Sequence, residues 1–455
     1  MRITCQRKLP IRATLFLSFL FVFVLGSKTY AATEAKLLAS DGAAYDYFGY
    51  VASISSDVAL LGADSNDDNG VDSGSAYVFR RNGSNWVEEQ KLLPSDGAAY
   101  DYFGTSVSIS GNVALVGADG NDDNGVDSGS AYVFRWNGSN WVQEQKLLPS
   151  GGAAYDYFGW EVSINGDVAL VGAVGDGDNG DESGSAYVFR WNGSNWVQEQ
   201  KLLPSGGAAY DWFGESVSIS GNVALIGADG NDDKGDDSGS AYVFRWNGSN
   251  WVQEQKLLPS DGAAFDYFGY SLSIDGNVVL VGAVEDGDNG DESGSAYVFR
   301  WNGSNWVQEQ KLLPSDGAAY DWFGESVSIS GHVALIGANG NDDKGDDSGS
   351  AYVYTLEAQF VADFSAIPTS GPAPLIVSFS DQSTGTVSSW NWNFGDGTIS
   401  NKQNPSHTYT DPGTYTVSLT VTCPGGSDTE TKADYIKVRS PSKAMPWIPL
   451  LLLDD

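Results

Sequence analysis

Between residues 91 and 145, apolar and polar positions follow one another in four short bursts. In 106–110 (SVSIS), Val107 and Ile109 alternate with serines, and 130–136 (SAYVFRW) alternates again. Such a period of two predicts strands whose faces meet different surroundings. Residues 113–118 (VALVGA) are almost continuously apolar, which predicts a strand buried on both faces. The fourth burst is 141–148 (WVQEQKLL). Ser110-Gly111-Asn112 and Asn137-Gly138 supply tight turns between the first and second, and the third and fourth, of these strands. The unit recurs with little change: its opening Lys-Leu-Leu stands at Lys36, Lys91, Lys146, Lys201, Lys256 and Lys311, a constant step of 55 residues.

Four strands per unit, repeated about an axis, predict an all-β fold containing a six-bladed β-propeller with four-stranded blades. Small residues crowd the first two strands, suiting a narrow centre, and aromatics crowd the outer two, where blades widen. The sixth copy stops after its third strand, near Tyr354, while residues 34–39 (EAKLLA) read as a fourth strand with no blade before it. The N-terminal strand is therefore expected to complete the last blade and to cover two sheet edges that would otherwise invite aggregation.

The ends are of another character. Arg2, Arg7, Lys8 and Arg12 precede an apolar run at 15–25, and Thr29-Tyr30-Ala31 offers a cleavage site. This predicts a secretory signal peptide over 1–31, too short in its apolar part to span a bilayer. The repeats then fill 32–357, a second domain 358–439 and a tail 440–455. No transmembrane segment is expected in the mature chain, which would be secreted or displayed at the cell surface. Cleavage removes five basic residues and no acidic one, deepening a net charge of −35. That acidity argues against nucleic acid as a partner. Cys423 is the only cysteine beyond the signal, so no intramolecular disulfide is available.

Phe48-Gly49 followed by Gly62-Ala63, Phe103-Gly104 by Gly117-Ala118, and so on to Phe323-Gly324 and Gly337-Ala338, resemble the FG-GAP repeat of integrin α-subunit propellers and of many exported microbial proteins. After each Gly-Ala comes an acidic loop with oxygen side chains at loop positions 1, 3, 5 and 9. These are Asp64, Asn66, Asp68 and Asp72 in the first repeat, and Asp119, Asn121, Asp123 and Asp127 in the second. The fourth has Asp229, Asn231, Asp233 and Asp237, and the sixth Asn339, Asn341, Asp343 and Asp347. In the third and fifth, Val174 and Val284 take position 1, leaving Asp176, Asp178 and Glu182, and Asp286, Asp288 and Glu292. Alternate oxygens of this kind suit Ca2+, and equally a solvated Asp/Asn/Gly turn. In the family the calcium loop lies between the Phe-Gly and Gly-Ala strands. Here it follows Gly-Ala, so calcium rests on spacing and charge alone.

In an antiparallel blade the acidic loops and the DGAAYDYFG segments emerge on one face. Ligand contacts are expected there from Tyr45 and Asp46, Tyr100 and Asp101, Tyr155 and Asp156, Tyr210 and Asp211, Asp266, and Tyr320 and Asp321. The aromatic just before each Phe-Gly is expected to wedge between blades instead. From Ala358 to Val438 the period is lost. Trp390-Asn-Trp392-Asn-Phe394-Gly-Asp396-Gly397, His407-Thr-Tyr409 and Pro412-Gly413-Thr-Tyr415 resemble a PKD domain, an Ig-like β-sandwich. The resemblance implies a spacer or accessory binding module, with one of the two tryptophans filling its core. Only His332 and His407 exist, and no nucleophile, phosphate-loop or zinc pattern appears. The reading is an exported binding or adhesion protein, calcium-supported, that meets an extracellular glycan or protein. The alternatives are an accessory protein of polysaccharide binding or degradation, and a structural surface-layer component.

Overall fold

The computed structural model describes residues 35–356, 361–385, 387–423 and 426–441. The expected signal peptide and nearly all of the expected tail lie outside the described residues. Those that are described form strands and turns, with no α-helix, and no helix long and apolar enough to cross a membrane.

Each repeat forms one antiparallel sheet in which sequence order is also spatial order. In the second repeat the strands are Val107–Ser110, Val113–Ala118, Ser130–Trp136 and Trp141–Leu147. Asn137 Oδ1 accepts from the Ser139 and Asn140 amides at 2.9 and 3.0 Å, which locks the last turn. Five sheets have four strands. The sixth has three, Val327–Ser330, Val333–Ala338 and Ser350–Thr355. Residues 35–39, expected as its fourth strand, lie in no strand.

Apolar cores fill the spaces between consecutive sheets. Val113, Leu115 and Val133 of the second sheet meet Phe158, Val162, Ile164 and Tyr187 of the third, and the other neighbouring pairs repeat this. Phe158 is fully buried, edge-on to Tyr187 at 5.4 Å. Among the described residues no such core covers the outward sides of the first and sixth sheets, and Ile54 and Leu335 are exposed.

The paired glycines of the repeat account for how closely the sheets approach. A Cβ on Gly172 would stand 2.2 Å from the carbonyl oxygen of Gly214 in the next repeat. The equivalent separations at Gly62, Gly117, Gly227 and Gly282 are 2.0–2.1 Å. The Gly-Ala glycine of one blade therefore lies directly against the Phe-Gly glycine of the next. Polar clasps add to this. The Gln145 side chain accepts from the Trp196 amide at 2.8 Å and donates to its carbonyl at 2.7 Å. Equivalent clasps join Gln90 to Trp141, Gln200 to Trp251 and Gln255 to Trp306.

In the second domain a three-stranded sheet (Phe364–Ile367, Leu375–Asp381, Ser406–Tyr409) accompanies a five-stranded one. Trp392 is fully buried among Phe364, Phe379 and Phe394, as expected for one of the tryptophans. Trp390 donates its indole N–H to Asp381 at 2.7 Å. His407 stacks on Phe394 at 4.3 Å and lies 2.7 Å from Asp396, a structural setting.

The glycine contact makes a differential prediction. Gly172→Ala collides with backbone and should cost about 2–4 kcal/mol, read by denaturant unfolding. Gly337→Ala meets only the Ser326 hydroxyl, which can rotate away, and should cost less than about 1 kcal/mol.

Candidate functional site: an aromatic and acidic cleft over the third to fifth repeats

Each of the first five acidic loops is stitched to the aromatic loop of the following repeat. Tyr100, Tyr102 and Phe103 donate their amides to the carbonyls of Val71, Asp72 and Ser73 at 2.7, 3.1 and 3.1 Å. The two loop families thus share one face, as the strand order predicted. The aromatics pay in backbone strain: Tyr157, Trp212 and Tyr267 have φ of 51–53°, uncommon for large side chains.

At loop positions 3 and 5, oxygens expected to converge on calcium have other partners. In five repeats a lysine from the fourth strand enters the acidic loop. Lys146 Nζ lies 2.7 Å from Asp123 and 2.9 Å from Asp96, and Lys201 lies 2.6 and 2.7 Å from Asp176 and Asp178. Lys91 pairs with Asp68 and Asp41, Lys256 with Asp233, and Lys311 with Asp261, Asp286 and Asp288. Each ammonium also stands 5.0–5.2 Å from the ring centroid of a buried tyrosine (Tyr77, Tyr132, Tyr187, Tyr242 or Tyr297). The ammonium supplies one of the two positive charges that a divalent ion would bring, and it occupies the oxygens of positions 3 and 5 that calcium would need. Among the described residues no group of three or more His, Cys, Asp or Glu side chains is placed to hold a metal. The sixth repeat differs, because its sheet lacks the lysine-bearing strand. There Tyr352 donates to Asp316 at 3.0 Å and Ser350 to Asn341 at 2.7 Å.

At position 9 it is the backbone amide that closes the loop. The Asp72, Asp127, Asp237 and Asp347 amides donate to the aspartates five residues earlier at 2.7–2.9 Å. Asp46, Asp101, Asp156, Asp211, Asp266 and Asp321, expected as ligand contacts, are buried. Each accepts from the amide three residues before it, at 2.7–2.9 Å. Their carboxylates staple the aromatic loop and do not face solvent. Tyr45, Tyr100, Tyr155, Tyr210 and Tyr320 are exposed, each more than half accessible.

Position 1 turns elsewhere. Asp229 lines a cleft of about 660 Å3 built by the third, fourth and fifth repeats. Its rings are Tyr157, Trp160, Trp212, Tyr267 and Tyr270, its carboxylates Glu182, Glu215, Asp229 and Glu285, and its apolar floor includes Val174 and Val284. The aromatics expected as wedges between blades therefore form a wall. Trp160 packs edge-on to Tyr157 at 6.3 Å, and Trp212 donates its indole N–H to Glu182 at 3.2 Å. Gly175 admits the close turn, since a Cβ there would stand 2.0 Å from the Tyr155 carbonyl.

Burial shifts the acids of this region upward. The Glu215 carboxyl rises to about 7. Asp229 is raised well above the usual carboxylate range by burial and by the Glu215 charge. Glu161, beside the cleft, rises to about 8 through burial and the Glu215 charge. Asp119 rises to about 7, again by burial. One oxygen each of Asp119 and Asp229 has no hydrogen-bond partner although both side chains are buried.

Trp160, Glu215 and Tyr270 were not anticipated. A signal existed in the residue that follows each Phe-Gly. It runs Tyr50, Thr105, Trp160, Glu215, Tyr270, Glu325, the most varied column of a repeat that otherwise scarcely changes.

Residues 32–79, 86–134, 141–189, 196–244, 251–299 and 306–354 match the FG-GAP repeat family, more than half of the chain. The chain belongs to the FG-GAP repeat proteins. Residues 358–438 of this FG-GAP protein match the PKD domain. Collagenase ColA of Bacillus cereus is 62% identical over 37 residues, 8% of this chain and 4% of the collagenase. The chain thus spans only a small fraction of that curated relative. Among solved structures, the PKD1 domain of the Vibrio cholerae metalloprotease PrtV is 35% identical, covering 18% of this chain and 98% of that one, with a TM-score of 0.16. The PKD1 domain of Vibrio anguillarum Epp is 38% identical over 18% of this chain and all of that one, at 0.16.

Two predictions test the charges. Lys146→Met should lower the melting temperature by about 2–3 °C, for a loss on the order of 1–2 kcal/mol from a half-buried pair. Calcium chelation should leave the wild-type melt unchanged; a drop of similar size would restore calcium to the loops. For Glu161, the folded group binds its proton more tightly than the unfolded one, so its contribution is favourable at low pH and is lost as pH rises from about 4.5 to about 8. Glu161→Gln should therefore be near neutral at pH 4 and stabilising by about 1–2 kcal/mol at pH 8.

Proposed function

We propose that this FG-GAP protein is an extracellular binding protein of the adhesion type, which holds a glycan or protein ligand at the aromatic and acidic cleft without turning it over. The observation that carries the reading is where the cleft lies. It forms at Trp160, Glu215 and Tyr270, where nearly identical repeats become different from one another. A concave site of several hundred cubic ångströms, mostly apolar with a few converging polar groups, is the usual form of a ligand pocket. The FG-GAP and PKD composition supports an exported setting, with the PKD domain as a spacer.

Immobilised panels of extracellular glycans and matrix proteins test this. Wild type should be retained by a subset of them, and Trp160→Ala should weaken retention by about tenfold with an unchanged melt. Cleavage products from any panel member would replace binding with catalysis. Retention unaffected by the variant would move the site off this cleft.

A further inference from the structure

We propose that the chemical group recognised in the cleft is an organic ammonium, primary or quaternary, seated among Trp160, Trp212 and Tyr270 against the carboxylates of Glu215 and Asp229. The inference rests on the reading of the cleft as the binding site and names its ligand class.

Three observations carry it. First, every ionisable side chain lining the cleft other than the tyrosines is a carboxylate; no lysine, arginine or histidine contributes to its wall. Such a concavity favours the opposite sign: burial holds Glu215 and Asp229 toward their protonated forms, an entering cation favours their ionised forms, and its binding therefore tightens as pH rises. Second, five aromatic side chains line the same cleft. The negative faces of rings attract cations that carry an apolar coat, and such cages suit ammonium groups better than a bare metal ion, which needs oxygens all round. Third, Asp229 is only 4% exposed, and its Oδ1 has no hydrogen-bond partner although the side chain lines the cleft. A buried acceptor left unpaired is costly, and a donor or cation entering the cleft would remove that cost.

The protein shows the same solution elsewhere in its own structure. In five repeats a lysine ammonium sits over a tyrosine ring while carboxylates close on it, as Lys201 does over Tyr187 with Asp176 and Asp178. The cleft repeats these ingredients, aromatic rings and carboxylates, with no ammonium from the chain among its lining residues.

Calorimetric titration of the full chain with matched pairs tests the class. Choline is compared with 3,3-dimethylbutan-1-ol, its neutral isostere, and n-butylamine with n-butanol. Each cation should bind at least about tenfold more tightly than its neutral partner. The order within the cations tells a quaternary from a primary group. Glu215→Gln and Trp160→Ala should each reduce cation binding by about tenfold. Glu325→Gln, at the equivalent position of the sixth repeat and outside the cleft, should leave it unchanged. Equal binding of cation and isostere, lost in Trp160→Ala, would overturn the ammonium while leaving the cleft as the binding site. Cation binding that no cleft variant weakens would overturn both. No binding of either cation at millimolar concentration, with retention on the panels still lost in Trp160→Ala, would overturn the ammonium alone.

Discussion

The structure depends on how near one backbone can come to another. Between consecutive repeats, the glycine that closes the second strand lies against the carbonyl of the glycine that follows the buried phenylalanine of the next repeat. A single methyl group at Gly117 would overlap the Gly159 oxygen, at 2.0 Å. That closeness brings Phe158 into the space between sheets, and it brings each acidic loop within hydrogen-bonding reach of the next aromatic loop. The cleft is a consequence, because its walls come from three repeats held at this spacing.

A second constraint acts inside each of the first five repeats, where one lysine must be neutralised. The repeats do this with different residues. Asp96 and Asp123 serve Lys146, whereas in the third repeat the position equivalent to Asp96 is Gly151, and Asp176 replaces an asparagine to restore the carboxylate. The fourth repeat has the glycine, Gly206, and keeps the asparagine, Asn231. There Lys256 retains a single carboxylate, and the Tyr242 hydroxyl is left without a partner. The fifth has both acids, and Tyr297 donates to Asp261 and Asp286. Substitutions that look like drift in the loops are therefore linked through one ammonium.

The strands, their order, the turns and the shared face of the two loop families were legible in the sequence, because period-two alternation and Asn-Gly turns report local geometry. The second domain was legible through its Trp-Asn-Trp-Asn-Phe-Gly-Asp-Gly and His-Thr-Tyr motifs. The partners of the loop acids were not. Oxygen spacing alone does not say which cation it surrounds, and Lys146 is separated from Asp96 by 50 residues of chain. The burial of Asp101 was equally hidden, since an aspartate that caps its own loop reads like one that faces a ligand. The uniformity of the repeat also drew attention to what recurs, while the cleft is made by what does not. The three-stranded sixth sheet shows the limit of counting strands: residues 34–39 carry the right residues, but 35–39 take no strand conformation.

The internal lysines have an effect beyond the loops they fill. Lys91, Lys146, Lys201, Lys256 and Lys311 are spent inside the repeats, and Arg80, Arg135, Arg190, Arg245 and Arg300 are paired with glutamates on neighbouring strands. Few positive groups of the repeats are left to face solvent, so the exterior is more one-sidedly anionic than a net charge of −35 conveys. The molecule is thus surrounded by a dense cloud of mobile counter-ions, and its colloidal behaviour is governed by the ionic strength of the medium.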